Sequence, residues 1–434
     1  MGKQEKKLTQ EQGVIRELSE RIVQAQRPIR ILDAIKWNRG IEEDFFRKKC
    51  QELPKINKRF YTDNNPLLYN PDRKIAEFVA IERDIRRNIG VLSGVSQIMQ
   101  RMCREYATAV EMLKHRGTKK FGLLSQELYG SSDDAFYANA PTLKDLANLV
   151  SHTLDNVGTK ADNKVDKLRY SAKEAAHILS DKLARFFHDA PENPKVFVSD
   201  NIVSDAAAGA ENIKLKKGVS FSRRNIRQLE VHEGWVHLGT TLNGKRQPIC
   251  TFLSKGAPSS TVTQEGLAIL IEILTYASYP KRVKRINNRV VAINMAENGA
   301  DFLDVFRFYL DNGYDEQASY AYTVRAFRGS TPKNKPFTKD LSYSKGFVEV
   351  FNYIRLAIDH GHVQHLPYLF VGKTSLEDMR IIVDLAEQGY VEKPRFLPAP
   401  FKDLAPLCAW AAYSLFINNL DPDQIAADIK GLLW

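Results

Sequence analysis

The chain has 434 residues, 43% of them hydrophobic and 26% charged, a globular composition with enough apolar surface for a substantial core and enough length for two lobes. Four widely spaced cysteines, Cys50, Cys103, Cys250 and Cys408, with no Cys-x-x-Cys pair, argue against a disulfide framework and a thiolate metal site and fit a reducing cytoplasm. A formal net charge of +11 favours an anionic partner (nucleic acid, a membrane surface or an acidic polypeptide tail) without choosing among them.

The first residues, Met1 to Lys6, are polar and lack an apolar signal core, and Lys6 stands where a myristoylation motif wants Ser or Thr. From about Thr9 to His188 the pattern is helical, with apolar residues at 3.6-type spacing over 75–89 and 91–113. Asn65-Pro66, Asn70-Pro71, Gly130-Ser131-Ser132 and Pro141-Thr142 break it. Basic residues such as Arg83, Arg86 and Arg87, and later Lys281, Arg282, Lys284, Arg285 and Arg289, read as solvated helix faces. No RNA-binding aromatic signature or basic zipper accompanies them, so specific nucleic-acid binding is not expected. Residues 1–190 are therefore taken as a helical N-terminal region that walls and supports the rest.

Pro191-Glu192-Asn193-Pro194 marks a turn into 191–434, the expected catalytic region. Val196-Phe197-Val198 and Ile213-Lys214-Leu215-Lys216 have strand character. Ser222 then reads as the N-cap of a helix running through His232-Glu233-Gly234-Trp235-Val236-His237. After a Gly/Pro/Ser loop over 254–260, Thr263 reads as the cap of a second helix carrying Glu265 in its first turn, with Leu267, Ile269, Leu270, Ile273 and Leu274 as its buried surface. Two imidazoles, a carboxylate between them and a downstream carboxylate are the parts of a hydrolytic zinc site. Catalytic zinc takes three protein ligands and keeps a fourth position for water, whose pKa falls toward neutrality. His232, His237 and Glu265 are the expected ligands, Zn2+ the expected cofactor and Glu233 the base.

The spacing imposes a condition. The familiar zincin pattern has its histidines at i and i+4, about 40° apart around a helix, whereas i and i+5 are about 140° apart. Both reach one metal only if the helix carries a π-type distortion, which Gly234 is expected to ease. A short sheet whose edge lies beside this helix would suit a peptidase, because an extended substrate can add to it as a strand.

Beyond the site, 302–310, 347–358 and 376–388 read as helices, 394–400 as a proline-rich connection, and 404–416 and 425–434 as helices closing the core. The apolar run 404–417 is too short to span a bilayer, which needs about 20 residues. A second histidine cluster, His360, His362 and His365, lies at a helix end capped by Gly361, with no suitably placed Cys or Glu, and reads as a turn. No Gly-x-Ser-x-Gly elbow, nucleophilic cysteine motif, phosphate loop or dinucleotide fingerprint is present. The carboxylate pairs Asp162/Asp166 and Asp311/Asp315 are the kind that solvated helix faces produce.

The His-Glu-x-x-x-His pattern with Thr263-Gln264-Glu265-Gly266-Leu267-Ala268 resembles the tyrosine carboxypeptidase family, which includes the microtubule-associated tyrosine carboxypeptidases and bacterial proteins labelled flavohemoglobin expression-modulating QEGLA-motif proteins. Arg27-Pro28-Ile29-Arg30-Ile31-Leu32 with Trp37, Arg328-Gly329, Lys339-Asp340-Leu341-Ser342-Tyr343-Ser344-Lys345-Gly346 and Leu369-Phe370-Val371-Gly372-Lys373 are similar to it as well. The resemblance implies zinc-dependent removal of a C-terminal residue, tyrosine or a similar one, from a polypeptide, with His232, His237 and Glu265 as ligands and Glu233 as catalytic glutamate. A carboxypeptidase must bind a free α-carboxylate, for which Arg328 is the first candidate and Lys345 the second. Tyr343, in the family-like segment, is the candidate oxyanion donor. The expected fold is α+β and predominantly helical, a zincin-like catalytic lobe with a small sheet beside the metal-binding helix. A zinc endopeptidase and a non-enzymatic regulatory protein with a structural metal are the alternatives, the latter disfavoured because a structural site needs no base.

Overall fold

The computed structural model describes residues 8–157, 167–188, 190, 194–200, 202, 205–209, 211–421 and 424–425. Helix dominates, at 65% against 5% strand, so the expected helical α+β class holds. Most of the turn expected at 191–194, the pair Asp162/Asp166 and nearly all of the helix expected over 425–434 lie outside the described residues.

The N-terminal helices start where the sequence offers caps. Thr9 forms a capping box with Gln12 at the head of Gln10–Gln26, and the Asn70 side chain accepts from the Arg73 amide at the head of Pro71–Ile89, whose first residue is Pro71. Ile15, Leu18 and Ile22 on one helix and Phe78, Ile81 and Ile85 on the next recur at helical spacing and are buried. They meet Met99, Met102 and Tyr106 of Gly94–Lys114 and, from far along the chain, Phe252, Leu253 and Val371. Other buried clusters likewise join residues from either side of residue 190: Phe45 with Phe302 and Phe306, and Leu183 with Ile226 and Leu238.

Five short strands follow in chain order: β1 (Tyr170–Ser171), β2 (Lys195–Ser199), β3 (Ala206–Ala208), β4 (Asn212–Lys216) and β5 (Ser220–Phe221). β1 pairs antiparallel with β5, and the other three form a sheet of order β2-β4-β3. β4 runs parallel to β2 and antiparallel to β3, with Ile213 opposite Val196 and Ala208. Ile213 and Leu215, on one face of the pleat, are buried. β3 is an edge strand, and its Ala208 amide donates to the Glu233 carboxylate at 2.9 Å. The sheet edge therefore lies beside the histidine-bearing helix.

The helix Ser260–Leu274, which carries Glu265, crosses Ser342–Asp359 at two glycines. A Cβ on Gly266 would lie 2.1 Å from the Gly346 carbonyl oxygen, and one on Gly346 would lie 1.9 Å from the Val262 carbonyl oxygen. Only glycine permits this approach, which brings the segment holding Lys339 and Tyr343 against Glu265. Leu267, Leu270 and Ile271 bury their side chains in the same layer, each worth about 1.5–3 kcal/mol.

Two local expectations are corrected. Thr263 does not cap its helix, which begins one turn earlier at Ser260; the Ser259 amide donates to Glu105, and the Thr263 hydroxyl accepts from the Leu376 amide. The helix Ala405–Ile417 closes the core only in part, burying Leu407 and Ala411 while Tyr413, Phe416 and Ile417 stay exposed. Among the described residues no helix is long and apolar enough to cross a membrane.

Candidate metal centre

Ser222 caps Arg223–Leu229 in a capping box with Asn225, and the helix then changes type over Glu230–Leu238 to a π-helix before continuing as Gly239–Lys245. The Gly239 amide donates to the Gly234 carbonyl, an i→i−5 bond. In a turn closed this way, residues five apart stand one above the other, which resolves the conflict that five-residue spacing poses for an α-helix. The packing holds the distortion. Val231, Val236 and Leu238 are fully buried, Trp235 stacks on Phe186 with centroids 5.4 Å apart, and the Arg227 guanidinium lies 4.5 Å over the Trp235 ring. The Val236 carbonyl is taken by the Thr240 hydroxyl at 2.7 Å, and the His237 carbonyl by the Thr241 hydroxyl at 2.8 Å. At Gly234 φ is not positive, and a Cβ there would stand 2.3 Å from Leu183 Cδ2, the end of a side chain that would have to shift.

This geometry brings His232, His237 and Glu265 together. His232 Nε2 and His237 Nε2 each lie 3.3 Å from the same Glu265 oxygen, Oε2, with the imidazole centroids 4.7 Å apart. One potential ligand atom from each residue falls within 4.8 Å of the others, and among the described residues no other group of three or more His, Cys, Asp or Glu meets that condition. His360, His362 and His365 do not form one; Gly361, at φ +75°, turns the chain there as expected.

A network fixes the donors. Glu272, two helical turns after Glu265, lies 2.7 Å from His232 Nδ1. This leaves Nε2 directed at Glu265, the carboxylate–histidine pairing that sets tautomer and ring orientation at metal sites. Glu272 also accepts from Gln228 at 3.0 Å and from Arg282 Nη2 and Nε at 3.0 and 3.2 Å. Burial alone would depress His232, but the hydrogen bonds that its ring donates to Glu265 and Glu272 raise it to about 10. Burial works against Glu272 as a carboxylate too, yet Arg282 and His232 hold it down at about 2. Glu265 is kept well below the usual carboxylate range against its burial by Lys339, whose Nζ is 3.4 Å away, and by the two imidazoles. Two imidazoles and one carboxylate are a donor set of the kind that zinc takes.

Tyr343 stacks on His232 with centroids 6.1 Å apart and ring planes 20° apart. The Arg289 guanidinium covers Tyr343 at 4.6 Å. Arg328 is buried nearby, 5.5 Å from the Phe337 ring centre, with Nη2 3.8 Å from Asp340. Asp340 takes a two-pronged bond from Arg325, at 2.6 and 2.9 Å, and Arg289 approaches it at 3.8 Å. Three guanidiniums thus share one carboxylate. The buried Nε of Arg328 and the buried Nε and Nη1 of Arg289 have no hydrogen-bond partner. Burial and the neighbouring Arg325 push Arg328 down to about 10. Lys345 is not part of this cluster; its Nζ pairs with Asp134 at 3.3 Å.

A family model described as microtubule-associated tyrosine carboxypeptidase matches residues 43–419. The chain belongs to this family. No curated protein matches it. The span matched to the family takes in every residue named in this cluster and leaves out the helix Gln10–Gln26, which packs in the N-terminal core. Within that span, sequence reasoning missed Glu272, Arg282, Arg289, Lys339 and Lys373 as parts of the site. One signal for Glu272 was available: seven residues after Glu265 is about two turns, hence the same helix face.

Proposed function

We propose that the chain is a zinc-dependent carboxypeptidase that removes a C-terminal residue, tyrosine or a similar one, from a polypeptide. The observation that carries the zinc part is the convergence of His232 Nε2, His237 Nε2 and Glu265 Oε2 on one point next to Glu233. The family supports the carboxypeptidase part. Zinc held by His232, His237 and Glu265 supplies Lewis acidity toward the scissile carbonyl and toward water.

The protein's own groups do the rest. Glu233, on the residue after the first ligand and steadied by the Ala208 amide, accepts the proton of the attacking water and passes it to the leaving amine. Tyr343, stacked on His232, donates its hydroxyl to the developing oxyanion. Arg328 and Arg289, with N–H groups to spare, supply the positive field that receives the substrate's α-carboxylate, and guanidinium geometry suits that group. Lys345, already paired with Asp134, is the weaker candidate. The N-terminal 1–190 region walls and supports this zincin-like 191–434 lobe.

Mass spectrometry of a peptide library incubated with the zinc-loaded protein tests the reading. Loss of one terminal residue is expected, with Glu233→Gln keeping its zinc but losing at least about a hundredfold in rate. Internal cuts would make the protein an endopeptidase. An unchanged library would remove the enzymatic reading.

A further inference from the structure

Lys373 lies on a loop that the zinc chemistry above does not use. The loop is fixed at its base: the Lys373 amide donates to the Leu253 carbonyl at 2.7 Å, and a Cβ on the preceding Gly372 would lie 2.5 Å from that same oxygen. From there the lysine ammonium reaches three neutral acceptors: the His237 carbonyl at 2.8 Å, Thr240 Oγ1 at 2.9 Å and Gln264 Oε1 at 3.0 Å. Thr240 Oγ1 also lies 2.7 Å from Gln264 Oε1, and the Gln264 amide donates a longer bond to the Gly372 carbonyl at 3.3 Å. The three donors of one ammonium group therefore tie the turn that carries His237 to the residue immediately before Glu265.

The place where this happens matters. His237 sits close to the point where the i→i−5 ladder gives way to the ordinary one. Its carbonyl accepts from Lys373 at 2.8 Å and from the Thr241 hydroxyl at 2.8 Å. The orientation of that peptide sets where the His237 imidazole points. If the turn relaxed to α geometry, His232 and His237 would stand about 140° apart and could no longer share an ion. We propose that Lys373, acting through the His237 carbonyl and Gln264, is a positioning residue that holds His237 and Glu265 in ligating geometry. This rests on the zinc reading of the site. It also accounts for Gln264 in the Gln264-Glu265-Gly266 string, as the acceptor that couples the loop to the ligand helix.

Electrostatics alone predicts the opposite of this role. A cation so close to a metal ligand repels a divalent ion, so its removal should tighten zinc binding if charge were all it contributed. A purely structural lysine would lower thermal stability and leave affinity unchanged. The test uses the full chain as wild type, Lys373→Met, Lys373→Arg and Gln264→Met, with zinc affinity from chelator competition and the visible absorption spectrum of the cobalt-substituted protein. Lys373→Met is expected to weaken zinc by about 10- to 100-fold, the range for outer partners of metal ligands, and to change the cobalt spectrum. Gln264→Met should move both in the same direction by less, and Lys373→Arg should recover most of the loss. Unchanged or tighter zinc binding in folded Lys373→Met overturns the proposal; if that variant does not fold, unchanged binding in Gln264→Met overturns it. A wild-type protein that takes up no zinc overturns the metal reading itself, and this role with it.

Discussion

Glu272 makes no approach to substrate in the proposed reaction, yet it determines which nitrogen His232 presents. Its 2.7 Å contact with Nδ1 and its bonds from Arg282 make it a buried anion held between two partners. Glu272→Gln keeps the shape and removes the charge, leaving Arg282 buried beside a neutral amide. Zinc affinity measured by chelator competition should fall by about 10- to 100-fold, and an unchanged affinity would mean that Glu272 serves packing alone. The meeting of His232, His237 and Glu265 was legible in the sequence, because two imidazoles flanking a carboxylate have few other uses. Glu272 was not, because an acid within a helical segment ordinarily reads as solvent-facing. Only its phase relative to Glu265 distinguishes it, and that phase has meaning only once the metal-facing side of the helix is known.

At the level of elements, the five-residue histidine spacing predicts a departure from α geometry, and the helix departs over Glu230–Leu238. That inference succeeded because it depends on geometry alone. The strands β2 and β4 were legible from Val196, Val198, Ile213 and Leu215, whereas β3 was not, since three alanines carry no strand preference; β4 recruits them by pairing. Thr263 was misread for a related reason: its hydroxyl has the right type for a cap, but its partner, Leu376, is 113 residues away. The Gly266–Gly346 crossing was also invisible in sequence, because each glycine is explained only by the other helix. Gly266→Ala would drive a methyl group into backbone that cannot rotate away. We expect a loss at the upper end of the roughly 1–3 kcal/mol typical of overpacking, measured by denaturant unfolding. Zinc affinity should fall with it as Lys339 and Tyr343 are pushed off Glu265 and His232. Wild-type stability in Gly266→Ala would mean that the helices can separate freely and that their approach does not set the site.

Over the whole molecule, the net charge of +11 was legible but uninformative, since the residues that concentrate it at the site come from separate segments. Arg289 lies on Pro280–Glu297, Arg325 on Glu316–Phe327, Arg328 just beyond it, and Asp340 on the turn before Tyr343. The sequence singled out Arg328 through its neighbour Gly329; the fold sets it among three guanidiniums around one carboxylate and leaves Arg289 closest to Tyr343. In the proposed reaction, anion binding therefore falls to the group rather than to one residue. Truncation to alanine would confuse binding with folding, because breaking a buried ion pair costs about 3–5 kcal/mol. Lysine substitutions keep the charge while removing the planar fork. With free-acid peptides, Arg289→Lys and Arg328→Lys should each raise KM by about tenfold, one charge-assisted hydrogen bond being worth about 1.5–3 kcal/mol, with the larger effect at Arg289 because it faces Tyr343. Peptides ending in a carboxamide offer no anion, so the wild-type protein should cut them poorly and the lysine variants should lose little more. Equal cleavage of amidated and free-acid peptides by wild type and both variants would remove the arginine cluster from substrate recognition. It would also turn the reaction from terminal trimming to internal cleavage, because an enzyme indifferent to the terminal charge has no means of telling the end of a chain from its middle.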